Sequence, residues 1–393
     1  MNTVGVICEF NPFHNGHKFL IENIKSRFSH CRTVAIMSGS FVQRGDVAIT
    51  DKFSRAKQAL QTGFDLVVEL PAVYAVSSAE IFAKAGVKIA DALCCDTLAF
   101  GAEDDLETLK KIADLHFDNS FQEIIKSELS LGKSYPKALQ DAVLAYDKSL
   151  TDSVDTLSGA NNILAVEYLK ALKDYTITPS AIKRKAVTHD SSSTSGEFAS
   201  ASEIRRMFYE NEKNPYKFMP DTCIKEDFSN IASLKNIEKA ILYRLRTMTK
   251  EDLLNLPDVS EGLENRILNA VRNYNSVNEI LQSVKTKRYT HARLRRILIY
   301  ALLSITKEMQ KSPVPYVRVL GFNQQGVGIL TDAKKAGKMP IISKVTSAAT
   351  QLNDKEKVIF EKDLLASDIH ALAQNTPTKC GMDYYNEIVK IQL

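Results

Sequence analysis

The chain has no apolar run approaching the roughly 18 residues that a membrane-spanning helix requires, so no transmembrane segment is expected. Its six cysteines, Cys8, Cys31, Cys94, Cys95, Cys223 and Cys380, show no C-x-x-C spacing. That argues against a disulfide framework or a zinc site, and no metal-ligating residues are expected. Internal repeats and long low-complexity tracts are absent. No signal or transit-like stretch stands ahead of the first apolar segment, so a cytoplasmic location is expected. The net charge of +4 is too small to mark a nucleic-acid binder by itself. What remains, 393 residues with 44% hydrophobic and 25% charged content, is a globular composition with room for two or three domains.

The first third reads as strands alternating with helices. Val4-Gly5-Val6-Ile7-Cys8-Glu9-Phe10 is an apolar, β-branched run of strand length. Thr33–Ser38, Asp65–Leu70 and Thr97–Phe100 repeat that signature, with Pro71 cutting off the third. Phe53–Thr62 is helical and Gly63 is its expected stop. Ser77–Ala90 is an Ala-rich helix. Alternation of this kind predicts a parallel sheet with crossover helices, whose ligands bind beyond the carboxyl ends of the strands. Residues 106–150 read as helices, 181–188 as a basic strand, and Ser191–Ser195 as a loop. From about 225 to 311 the chain is helical, and after Pro313 and Pro315 a small α/β segment begins at Tyr316–Phe322. The expected division is 1–225 for an α/β domain and 226–393 for a mainly helical region.

The polar motifs fall at the strand ends. Asn11-Pro12-Phe13-His14-Asn15-Gly16-His17 follows the first strand and opens a helix. Its two imidazoles, at i and i+3, share a face beside free backbone N–H groups, where the helix dipole favours an anion. Gly16 is expected to leave room for a phosphate against the backbone. Taken alone, the four-letter string serves equally as a helix cap. Ser38–Asp46 follows the second strand and offers Arg44; Lys52 and Arg55 head the next helix. Lys52 is a candidate for phosphate charge, and Arg55 reads more simply as a solvated side chain. Gly101 ends the fourth strand, the pair Asn161 and Asn162 starts a helix, and Arg184 ends a basic strand. Ser200-Ala201-Ser202-Glu203-Ile204-Arg205 sets two hydroxyls and an Arg on a first helical turn, a second anion cradle. Between 285 and 311, eight cations (Lys285, Lys287, Arg288, Arg293, Arg295, Arg296, Lys307 and Lys311) stand against the single acid Glu308. Tyr289 and His291 lie among them, a pattern suited to RNA backbone and base stacking.

The N-P-F-H-N-G-H and S-A-S-E-I-R strings together resemble the HxGH nucleotidyltransferases. The longer set, C-E-F-N-P-F-H-N-G-H, S-G-S-F-V-Q-R-G-D, D-L-V-V-E-L-P, F-G-A-E, N-N-I-L, K-R-K, T-K-R-Y-T-H-A-R-L-R-R and V-R-V-L-G-F-N, is similar to the bacterial tRNA(Met) cytidine acetate ligase family over nearly the whole chain. The resemblance implies a Rossmann-like nucleotidyltransferase domain that uses ATP, with Mg²⁺, to convert acetate to acetyl-adenylate. The acetyl group would then pass to N4 of the wobble cytidine of elongator tRNA(Met). It implies an ATP site at Ile7, Cys8, Glu9, Phe10, Asn11, Pro12, Phe13, His14, Asn15, Gly16, His17, Lys18, Phe19 and Leu20, with Gly101, one of Asn161 and Asn162, and Arg184. Ser200, Ser202 and Arg205 complete the phosphate contacts, and His14, His17, Arg44 and Lys52 are the expected catalytic cations. Lys285, Lys287, Arg288, Arg293, Arg295 and Arg296 are the expected tRNA contacts. The family pattern is departed from at Phe10 (Tyr expected), Phe53 (Trp expected) and Gly159-Ala160 (a Pro expected). Two alternatives are a small-molecule nucleotidyltransferase and a non-catalytic RNA-binding protein on a nucleotide-binding fold.

Overall fold

The computed structural model describes residues 1–150, 157, 159–184, 196–211, 214–224, 228–260 and 262–392. The expected Ser191–Ser195 loop, with Lys185, His189 and Asp190, lies outside the described residues.

The strands are β1 (Thr3–Cys8), β2 (Arg32–Ser38), β3 (Phe41–Val42), β4 (Asp46–Val47), β5 (Leu66–Leu70), β6 (Thr97–Ala102), β7 (Thr178–Lys183), β8 (Val317–Phe322), β9 (Ile341–Ile342) and β10 (Val389–Lys390). The main sheet runs β10-β8-β5-β2-β1-β6-β7, with β9 beside β8. β1 pairs in parallel with β2 and β6, β2 with β5, and β6 with β7. This is the expected parallel α/β sheet, and every residue of β1 and β5 is buried, as two covered faces require.

The period of two divides the core. Val4, Val6 and Cys8 join Ala35, Met37 and Val67 on one face. Helices Asn15–Arg27, Lys52–Thr62 and Ala201–Glu210 cover it through Ile21, Ile24, Ala56, Leu60, Ile204 and Met207. Ile7, Val34, Ile36, Leu66 and Val68 face the other way. Helices Ala79–Ala92 and Ala160–Leu172 cover that side, and the helices Glu238–Thr247, Leu263–Asn273, Val277–Val284 and His291–Leu303 belong to the same apolar cluster.

One expectation changes here. The segment after Pro315 does not stand apart as a small α/β unit. β8 lies antiparallel against β5, and β9 and β10 pair in parallel with β8. A cut between 225 and 226 would therefore split one sheet. The reason is not local: the antiparallel edge is a pairing between segments far apart in sequence, which no strand signature in either one specifies.

Among the described residues, no helix is long and apolar enough to cross a membrane. No disulfide joins the six cysteines, all of which lie among the described residues.

Candidate active site at the strand ends

β1 stops at Cys8, and Phe10, at φ 48°, turns the chain out of the sheet into the H-x-G-H segment. A bulky residue rarely takes that left-handed conformation, and buried Phe10 and Phe13 hold it, with ring centroids 4.6 Å apart. His14 is the N-cap of helix Asn15–Arg27: its Nδ1 accepts from Gly16 N–H at 3.0 Å. His14 N–H in turn donates to His17 Nδ1 at 3.2 Å, which closes a capping box made entirely of imidazoles. The two rings stack at 3.7 Å with 25° between their planes. Phe10 and Phe13 meet the His17 ring at its edge, at 4.9 and 5.3 Å. Because each Nδ1 accepts from a backbone N–H, each neutral ring carries its proton on Nε2. Two Nε2–H donors therefore stand side by side at a helix N-terminus.

Gly16 has a different reason from the one expected. A Cβ there would sit 2.8 Å from His14 Cε1 and 2.9 Å from its Nδ1. Glycine makes room for the capping ring.

Three walls surround this turn. The first is the start of helix Ala201–Glu210. Ser200 caps it by accepting from Glu203 N–H, and Ser202 Oγ lies 3.0 Å from Ser200 Oγ. Arg205 Nη1 donates to the carbonyl of Asn11 at 2.6 Å, which ties this helix to the H-x-G-H turn. Asn15 Nδ2 adds a bond to the Glu197 carbonyl at 2.9 Å. The second wall is the end of β6 and β7. Arg184 N–H donates to Ala102 O, and its side chain lies against Gly101, where a Cβ would be 3.4 Å from Arg184 Cγ. Asn161 Nδ2 donates to Glu103 Oε1 at 3.1 Å, and Arg184 Nη1 lies 3.5 Å from Asn161 Oδ1. Burial pushes the Arg184 pKa below the usual arginine value, with Glu103 opposing. Asn162 is different: fully buried, its Oδ1 accepts from Glu103 N–H at 2.9 Å and braces the loop. Of the pair, Asn161 faces Arg184 and Asn162 is part of the scaffold.

The third wall is the β3–β4 hairpin, which carries Gln43, Arg44 and Gly45. Gln43 N–H donates to Glu9 Oε1 at 2.7 Å. Gly45, at φ 71°, lies on the backbone of helix His291–Leu303: a Cβ would fall 2.3 Å from Arg296 N. Arg295 and Asp46 form an ion pair at 3.4 Å across this seam. The basic stretch thus begins directly against the site loop.

Other expected ligands turn away. Lys52 is wholly buried, with Nζ 2.8 and 3.0 Å from the Glu69 carboxylate and 2.8 Å from Asp383 Oδ1. Burial works against its charge, but Asp383 and Glu69 outweigh that and hold its pKa above the ordinary lysine value. Such a side chain is an internal tie between helix Lys52–Thr62, β5 and the C-terminal segment, not a phosphate ligand. Arg55, read as solvated, is also wholly buried and donates to the carbonyls of Glu9, Ser38, Gly39 and Thr50. It gathers the ends of β1 and β2. Its place on the face of Ala56, Ala59 and Leu60 was the available signal. In the basic stretch, Arg296 pairs with Asp258 at 2.7 Å and Arg293 donates to the Asp258 carbonyl and Ser260 Oγ. Lys307 Nζ is bonded to the carbonyls of Leu254 and Val259. Lys285, Lys287 and Arg288 remain exposed.

Residues 1–383 match the model of the HIGH Nucleotidyl Transferase family. The chain is 40% identical to the tRNA(Met) cytidine acetate ligase of Thermoanaerobacter sp. (strain X514), over 100% of both chains. It is 36% identical to the protein of the same name from Clostridium perfringens (strain SM101 / Type A), over 98% of both. Among solved structures it is similar to Thermotoga maritima TmcAL, at 28% identity over the full length of both chains. The TM-score is 0.93 for the apo form and 0.91 for the form bound with alpha-thio ATP.

Proposed function

We propose a function for a chain that belongs to the HIGH nucleotidyl transferase family and, within it, to the tRNA(Met) cytidine acetate ligases: it uses ATP to ligate acetate to N4 of a cytidine in tRNA. It is an enzyme. The observation that carries the reading is the pair of stacked imidazoles at a helix N-terminus, the Nδ1 of each accepting from a backbone N–H.

In the first step an acetate oxygen attacks the α-phosphorus of ATP, and pyrophosphate leaves. The barrier is mainly a crowding of negative charge, and oriented donors lower it without a protein nucleophile. His14 and His17 would donate to the phosphates from one side. Arg205, Ser200 and Ser202 would hold them from a second, and Arg44 from the hairpin. Gly101, Asn161 and Arg184 form a ledge suited to the nucleoside end. Among the described residues no group of three or more His, Cys, Asp or Glu is placed to hold a metal. That suits a Mg²⁺ brought in on the phosphates of ATP, where it would screen pyrophosphate.

In the second step the cytidine amine attacks the mixed anhydride and AMP leaves. An anticodon-loop base is unpaired, so its N4 amine is open to such an attack. Lys285, Lys287, Arg288 and Arg295 would meet the RNA backbone. Elongator tRNA(Met), with its wobble cytidine, is the proposed substrate, and the cytoplasm the proposed location.

The test is pyrophosphate exchange into ATP, measured with and without acetate. It is followed by incubation with labelled acetate, ATP and total tRNA, and nucleoside analysis. Acetate-dependent exchange with label recovered in N4-acetylcytidine is expected. Exchange that ignores acetate, or requires another small molecule, would return the site to a small-molecule nucleotidyltransferase.

A further inference from the structure

We propose that Glu9 is the proton acceptor of the acetyl-transfer step, its carboxylate receiving the proton that the cytidine amine loses. The inference rests on the acetate-ligase reading above.

Glu9 is the residue directly after β1, two positions before the H-x-G-H turn begins at Asn11. An anionic side chain beside a turn proposed to bind a triphosphate would repel the substrate, so its presence there calls for a role other than phosphate binding. Its position is fixed rather than loose. Gln43 N–H holds one oxygen at 2.7 Å from the hairpin. That hairpin is seated by Gly45 and Asp46 on the helix that begins the basic stretch. Glu9 therefore lies between the H-x-G-H turn and the hairpin that rests on helix His291–Leu303, which follows the exposed cations Lys285, Lys287 and Arg288. The incoming amine and the activated acetyl group must meet at that same junction.

The surroundings suit a base. Arg205 from helix Ala201–Glu210, Arg44 from the hairpin and Arg55 from helix Lys52–Thr62 favour the ionised carboxylate, while Cys8 and Tyr168 are its other titratable neighbours. Burial is the largest influence and raises the Glu9 pKa above the ordinary carboxylate value, with the Gln43 N–H and the three arginines opposing. A raised value is what a base needs to hold a proton near neutral pH.

The step balances simply. The N4 lone pair forms a C–N bond to the acetyl carbonyl carbon, and the bond from that carbon to the phosphate oxygen breaks. AMP leaves with that electron pair as a weakly basic phosphate and needs no proton. The proton released from N4 passes to the Glu9 carboxylate and then to water.

The two half-reactions separate this role from a merely structural one. Pyrophosphate exchange with acetate reads adenylation. Single-turnover acetylation of tRNA from added acetyl-adenylate reads transfer. Glu9→Gln keeps an oxygen for the Gln43 N–H bond and removes the base. Transfer should fall on the order of 10²-fold, and the ratio of transfer to exchange should fall with it. The wild-type transfer rate should rise with pH along an acid limb that Glu9→Gln lacks and Glu9→Asp keeps. Equal losses in both half-reactions, or an unaltered transfer rate and limb in Glu9→Gln, would overturn the proposal. A wild-type enzyme without acetate-dependent exchange would instead overturn the reading beneath it.

Discussion

The H-x-G-H turn and the stretch 285–311 are both rich in groups that attract anions, and they are ordered by opposite means. In the turn, groups within a few residues orient the two rings: Gly16 N–H, His14 N–H, and the rings of Phe10 and Phe13. In the basic stretch the orientation comes from elsewhere. Asp258 draws Arg293 and Arg296 inward, and Asp46 takes Arg295. Lys52 belongs with the second kind, since Asp383 lies at the far end of the chain. Locally locked groups present their donors wherever the turn goes. Groups locked from a distance become struts between segments.

The largest effect that would break this comparison is at Lys52. Lys52→Met removes the cation bonded to both Glu69 and Asp383 and leaves only Arg318, 3.6 Å from Asp383, a loss of roughly 3–5 kcal/mol. It is read as a lowered urea midpoint. An unchanged midpoint with lost adenylation would return Lys52 to the ligand site. His17→Ala is the complementary case. Adenylation should fall on the order of 10²–10³-fold, with the urea midpoint near wild type. Unfolding of this variant would mean that the turn is itself a strut.

A third test uses pH. His370 is wholly buried, with Nε2 2.8 Å from the Ala48 carbonyl, so it ties helix Asp354–Ala373 to the segment after the hairpin. Burial lowers its pKa to about 4, against the pull of Asp51. The unfolded imidazole titrates near 6.5. Between these values the unfolded chain binds a proton that the folded one does not, so stability falls as pH falls from about 6.5 to 4. His370→Gln should lose stability less steeply over that window, and parallel curves for the two proteins would remove His370 from the acid response. The smallest effects belong to single surface cations. Lys285→Gln, Lys287→Gln and Arg288→Gln should each reduce the salt slope of tRNA binding by nearly one unit where they touch a phosphate. A like reduction from Arg296→Gln in a folded protein would show that the inward-turned residues still meet RNA.

The same contrast explains what could be read in advance. Short apolar, β-branched runs placed β1, β2, β5 and β6, and the caps at His14 and Ser200 lie in short strings whose geometry follows from their own spacing. Arg184 and Arg205 were legible as a strand-end and a helix-start cation, and the fold sets them at those places. The pairing of β8 with β5 was not legible, because a five- or six-residue apolar strand does not specify its neighbour. Nor was the burial of Lys52, whose partners Glu69 and Asp383 are visible only once that edge has formed. The basic stretch displayed its charge in sequence but not its direction, since the acid that turns Arg296 inward belongs to a different helix–loop segment.

The antiparallel edge also sets an order of events during synthesis. β5 leaves the ribosome early, but the strand that covers its free side is made about 250 residues later, roughly 10–50 s at ordinary elongation rates. Through that interval Leu66-Val67-Val68-Glu69-Leu70 presents an unpaired edge, nearly all apolar and without proline, to any other nascent chain. Lys52 waits longer still, because Asp383 follows β8 in the chain. Translation that stalls before β8 would release a chain whose sheet still lacks the strand that covers β5.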